Sequence, residues 1–85
     1  MEQFIQKLRQ VLARSFPGSE VELEVAGPRR VGGLVTWSGF AGQEQIVRQR
    51  RLWQVLRAEL SADEQLEISA LLTLTPDEMA AARQD

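Results

Sequence analysis

The sequence predicts an α+β domain in which a three-stranded sheet has its helices packed on one face, with elements in the order αββα(α)βα. Three observations lead there. Residues 2–15 and 43–60 space their apolar side chains at the 3.6-residue period of a helix, and residues 20–25 and 66–74 alternate apolar and polar positions as a half-buried strand does. Proline, glycine and capping-box signals stand between these segments.

In the first segment Phe4, Ile5, Leu8, Val11 and Leu12 fall on one helical face, and Pro17-Gly18-Ser19 closes the helix, because proline cannot continue the hydrogen-bond ladder and glycine accepts a left-handed turn. Glu20 to Val25 then alternates strictly, so a strand is expected with Val21, Leu23 and Val25 toward a core and the glutamates toward water. Gly27-Pro28-Arg29-Arg30 is a turn, and Val31 to Ser38 is the second strand of a hairpin with both arginines near its tip. After Gly39-Phe40-Ala41-Gly42, the long helix is expected to bury Ile46, Leu52, Trp53, Leu56 and Leu60, with Gln49 in the middle of that stripe. Val47, Arg48, Arg51 and Val55 fall on the opposite side, and Arg50 and Arg57 flank the stripe. Ser61-Ala62-Asp63-Glu64 is a capping box for a short helical turn. Leu66, Ile68, Ala70, Leu72 and Leu74 share the expected inner face of a third strand, and Thr75-Pro76-Asp77-Glu78 opens a last helix reaching about Arg83.

Composition bounds the function. A chain of 85 residues with 44% hydrophobic side chains has room for one modest core, so residues 1–85 are expected to form a single domain. There is no cysteine, histidine or tyrosine. Disulfides, thiolate chemistry and imidazole acid–base or metal chemistry are thereby excluded, and no cofactor is expected. No segment has the run of apolar residues of a membrane span or a secretory leader, so a cytoplasmic location without membrane contact is expected. The net charge is only −2, but residues 27–58 hold six arginines against one acid, Glu44, a local charge of +5. The flanks carry −7, which makes a bipolar domain if the segments keep apart in space.

Within residues 34–78, the run Phe40-Ala41-Gly42-Gln43, Ile46, Leu52-Trp53 and Leu56, then Ile68-Ser69-Ala70-Leu71 and Thr75-Pro76, resembles the second half of BolA-like proteins. That resemblance implies a fold similar to type II KH domains. It also implies a regulatory, non-enzymatic role, since family members share a two-iron cluster with a monothiol glutaredoxin. The family's ligand positions are changed here: Gln49 stands at the helix histidine, Ser69 at the strand histidine, and Gly27-Pro28-Arg29-Arg30 in the hairpin loop that carries a Cys or His. Cluster ligation by those residues is therefore not expected.

The remaining candidates for binding are Arg29, Arg30, Gly39, Gly42, Arg48, Arg50 and Arg51. Gly39 to Gly42 followed by the arginines is similar to the Gly-x-x-Gly loop with which KH domains clamp a nucleic-acid backbone, glycines permitting close approach and arginines neutralising phosphate. The plainer alternative is an ordinary turn and a solvated helix face. Gln49 is either a remnant of the histidine position or a buried amide satisfied by backbone. Trp37 and Trp53 are either a stacking platform or core packing, and Glu20, Glu22 and Glu24 either attract a divalent cation or form a solvent face that discourages edge pairing. Two functions follow: docking of another protein with an acidic surface, or single-stranded nucleic-acid binding through Gly39 to Arg51.

Overall fold

A computed structural model describes residues 1–84. Its order is α1 (Glu2–Ser15), β1 (Glu20–Gly27), β2 (Arg30–Thr36), a 3-10 turn at Ser38–Phe40, α2 (Gln45–Glu59), α3 (Ala62–Leu66), β3 (Ile68–Leu74) and α4 (Pro76–Ala82). This is the expected αββα(α)βα architecture. β1 and β2 form an antiparallel hairpin, and β3 returns parallel to β2, which leaves β2 in the centre. A parallel return needs a long crossover, and α2 with α3 supplies it. The long helices α1 and α2 pack side by side on one sheet face over a core centred on Leu8, Leu12, Val35, Leu52, Leu56 and Leu71.

The chain leaves α1 through Phe16, whose ring is buried against Trp37 and Phe40 at centroid separations of 5.1 and 5.6 Å. Trp37 meets Phe40 edge-on at 5.2 Å and donates its indole N–H to the Pro17 carbonyl at 2.9 Å. The three rings pin the end of α1 to the approach to α2 through oriented aromatic contacts. At the hairpin tip, Pro28-Arg29 makes a two-residue turn, and Arg29 takes φ 53°, the left-handed region usually left to glycine or asparagine.

Two strand expectations are corrected. Val25 is 60% exposed, because the hairpin outruns the helix that covers Val21 and Leu23. In β3 the even-numbered leucines are not the inner face. Ile68 pairs with Val31, but the next pair is Gly32 with Ala70, so a bulge at Ser69 inserts one residue. One extra residue exchanges the faces of everything after it. Leu71 and Thr73 are consequently buried, while Leu72 is 59% exposed. Leu66, expected at the start of that strand, ends α3 in solvent.

Leu71→Ala is expected to cost about 2–5 kcal/mol in denaturant unfolding, whereas Leu72→Ala stays within about 0.5 kcal/mol; equal losses would place the bulge elsewhere. Gly33 lies so close to β1 that a Cβ there would run into the Glu22 carbonyl oxygen. Gly33→Ala should therefore lower the unfolding midpoint markedly, although alanine ordinarily suits a strand no worse than glycine.

Candidate functional site

The arginines of the middle segment do not share a surface. Arg48, expected on the solvent side of α2, is only 5% exposed and points into the protein. Its Nε donates to the Gln43 carbonyl at 2.9 Å and its Nη1 to the Thr73 carbonyl at 3.2 Å. Nη1 and Nη2 also grip both Glu78 carboxylate oxygens at 2.6 and 3.1 Å, and the guanidinium sits 6.0 Å from the Phe40 ring centroid. A phosphate-contacting role for Arg48 is thus replaced by a structural one, because the planar guanidinium satisfies several acceptors at once where a bare apolar side chain would leave them unpaired. Glu78 is positioned for this by its own helix start. Its backbone N–H donates to the Thr75 hydroxyl, and its carboxylate accepts the Thr75 N–H at 2.8 Å as it accepts Arg48.

The Arg48 guanidinium, with the Thr75 N–H second, holds the Glu78 carboxyl at about 2 against an ordinary 4.5, with partial desolvation opposing. Glu64 is lowered in the same way, first by Lys7 and then by the Ser61 N–H.

Arg51 lies over the indole of Trp37, with its guanidinium carbon 4.8 Å from the ring centroid, a cation–π stack on the aromatic cluster. Gly39 and Gly42 have local reasons for being glycine. A Cβ on Gly39 would collide with the Trp37 ring, and Gly42 takes φ 78°. Phe40, between them, is fully buried, so the backbone of this turn is held by packing. Arg29 and Arg30 are exposed at the hairpin tip, where Arg30 Nη1 donates to the Arg29 carbonyl at 3.2 Å.

Gln49 is the satisfied amide. Its Nε2 donates to the Leu71 carbonyl at 2.9 Å and to the Thr73 hydroxyl at 3.3 Å. Gln45 Nε2 donates to the Thr73 carbonyl at 2.9 Å, and Gln45 Oε1 accepts from the Thr73 hydroxyl at 2.7 Å. Together with Arg48, these side chains of α2 occupy the carbonyls along β3. Ser69, at the bulge, donates to the Val31 carbonyl at 3.3 Å. The positions where the resemblance implies cluster ligands therefore hold an amide and a hydroxyl already engaged with backbone, and a hairpin turn of glycine, proline and arginines. None of these donors suits an iron–sulfur cluster, which is held by thiolate or imidazole. Among the described residues no group of three or more His, Cys, Asp or Glu is arranged to hold a metal ion. Glu22 of the acidic strand instead accepts from Arg83 at 3.4 Å.

A surface that the sequence did not separate out lies on the outer side of α2. The stripe expected to be one buried face divides in two. Leu52, Leu56 and Leu60 enter the core, while Ile46 is 55% exposed and Trp53 is half-buried. Ile46 and Trp53 line a shallow groove of about 480 Å³ with Gln49, Arg50, Gln54 and Arg57. Arg50 and Arg57 make no ion pair among the described residues, and no acid lines the groove. Arg48 stands four and eight residues before Leu52 and Leu56 and shares their buried face, and Ile46, two residues earlier, falls away from it.

No protein-family model and no curated protein matches the sequence. Solved structures do match. The chain is similar to a BolA protein homologue from Coxiella burnetii at 26% identity and TM-score 0.66, over 88% of this chain and 94% of that one. It is also similar to BolA1 from Arabidopsis thaliana (21% identity, TM-score 0.67, 92% and 98% covered) and to a Bol-like protein from Babesia bovis (19%, TM-score 0.62, 93% and 92%). The architecture is thus the BolA-like fold. Near-complete coverage of both chains, together with the Coxiella burnetii likeness, supports a BolA-like family assignment. Among the described residues no helix is long and apolar enough to cross a membrane.

Because the Glu78 carboxyl titrates at about 2 when folded and near 4.5 when free, the folded state binds fewer protons in that window. Its contribution is complete above pH 4.5 and is lost as pH falls through about 2. Denaturant midpoints measured from pH 6 down to 2 should therefore drop less in Glu78→Gln than in the wild type, with Glu64 leaving a residual slope; parallel profiles would contradict the pairing.

Proposed function

We propose that this chain is a non-enzymatic, BolA-like adaptor domain acting in the cytoplasm and docking another protein through the outer face of α2. The observation that carries the reading is the groove in which Ile46 and Trp53 alternate with Arg50 and Arg57, two arginines without an ion pair among the described residues. Ile46 is more than half exposed, Trp53 packs against the core yet is only half-buried, and exposed apolar surface beside charge is the usual character of a contact surface. Aromatic and arginine side chains are also those that most often dominate an interface energetically. The absence of cysteine and histidine from the sequence supports a role without chemistry of its own. The exposed Arg29 and Arg30 add positive charge at the hairpin tip, which fits an acidic partner.

Nucleic-acid binding is the weaker reading. Of the three arginines that would line a KH-like site, Arg48 is committed to Glu78 and Arg51 to Trp37, while the turn offers a buried Phe40 in place of a basic loop.

Affinity capture from native cytosol tests the choice. Proteins retained by the wild type should be lost with Arg50→Glu/Arg57→Glu, a surface double variant expected to keep its fold. If short single-stranded RNA or DNA instead shifts the amide signals of Gly39 to Arg51 in a strongly salt-dependent way, nucleic-acid binding replaces the docking function.

A further inference from the structure

We propose that the groove seats an amphipathic acidic helix of the partner, lying alongside α2 with two carboxylates seven residues apart on Arg50 and Arg57, an apolar side chain between them against Trp53 and another, one turn beyond Arg50, against Ile46. This rests on the docking function above and names the partner element.

Spacing points to a helix. Ile46, Arg50, Trp53 and Arg57 stand four, three and four residues apart, the alternation that keeps a seam along one side of a helix that packs against another. Arg50 and Arg57 are two turns apart, about 10 Å along the axis at 1.5 Å per residue. The same rise on a second helix places two side chains at i and i+7 opposite them, with i+3 or i+4 between. A partner strand is disfavoured because the neighbouring sheet edge is closed. The carbonyls of Leu71 and Thr73 on β3 already accept from Gln49, Gln45 and Arg48, so an added strand would have to displace these side chains to gain its hydrogen bonds.

Charge decides the polarity. Both arginines are free of ion pairs among the described residues, and no carboxylate lines the groove. Apolar and cationic side chains alternate along the seam as Ile46, Arg50, Trp53 and Arg57, which suits an amphipathic acidic element better than a continuous polyanion.

The test is an amide and indole NMR titration of the isotope-labelled chain with three synthetic helical peptides and one single-stranded oligonucleotide. The first peptide carries glutamates seven residues apart flanking a leucine. The second has the same composition with the glutamates five residues apart, hence on different faces, and the third replaces the glutamates by lysines. The first peptide is expected to shift the Trp53 indole and the amides of Ile46, Arg50 and Arg57. The Trp37 indole, bonded to the Pro17 carbonyl, stays in place. Arg50→Glu/Arg57→Glu should weaken this peptide about tenfold, and the lysine peptide should regain affinity on that variant. Equal binding of the five-residue spacing would overturn the helical seam while leaving docking by α2 intact. Silence from all three peptides would overturn it too, and shifts on α2 from the oligonucleotide alone would remove both the seam and the docking function.

Discussion

The guanidinium of Arg48 joins parts of the chain that are distant in sequence. From α2 it reaches the carbonyl of Thr73 on β3 and the carboxylate of Glu78 on α4, and it closes the turn behind it through the carbonyl of Gln43. An arginine buried without such partners would be strongly unfavourable, so each contact constrains where the others must lie. Glu78 is partly open to water, which screens the pair, and the fork's main effect is geometric. Arg48, Leu52 and Leu56 share the inward face of α2. The rest of the helix follows from that rotation about its axis: Gln45 and Gln49 meet the edge of the sheet, Trp53 packs half-buried at the margin of the core, and Ile46, Arg50 and Arg57 are exposed.

The same rotation manages a hazard of small mixed sheets. β3 is an edge strand, and its outward carbonyls would invite pairing with another chain. Amide and guanidinium side chains of α2 take those carbonyls instead. On the other edge, Arg9 of α1 donates to the Val21 carbonyl at 2.7 Å, and the glutamates of β1 surround it with charge. Gln49 therefore has a clear duty at the position where the family carries a histidine. It caps an edge, as a neutral amide can do without titrating near neutral pH. Ser69 likewise fits a bulge beside Gly32, where its hydroxyl returns a hydrogen bond to β2. Cluster chemistry is replaced at both positions by hydrogen bonds that serve the fold.

The domain is thereby left with two unlike sides on one helix. The inner side is spent on packing, and the outer side is a short groove where Ile46 and Trp53 alternate with two cations that make no ion pair among the described residues.

Element order, the bounds of α1 and both capping boxes were legible in the sequence, whereas β2 ends before the expected Ser38 and β3 starts after the expected Leu66. Periodicity and terminal hydrogen bonding are local properties: the alternation from Glu20, the 3.6-residue spacing from Phe4, and Ser61 or Thr75 three residues before a glutamate each act within a few residues. The parallel return of β3, its inner face and the burial of Arg48 were decided only by tertiary structure. Leu66 to Leu74 alternates convincingly, yet a single unpaired residue at Ser69 exchanged Leu72 for Leu71 in the core, and nothing near Ser69 announces a bulge. Arg48 looks like one of several surface arginines because its partners, Thr73 and Glu78, lie 25 and 30 residues away. Local sequence can specify what each segment does with its own backbone; which face a helix turns inward depends on polar groups that only folding brings within reach.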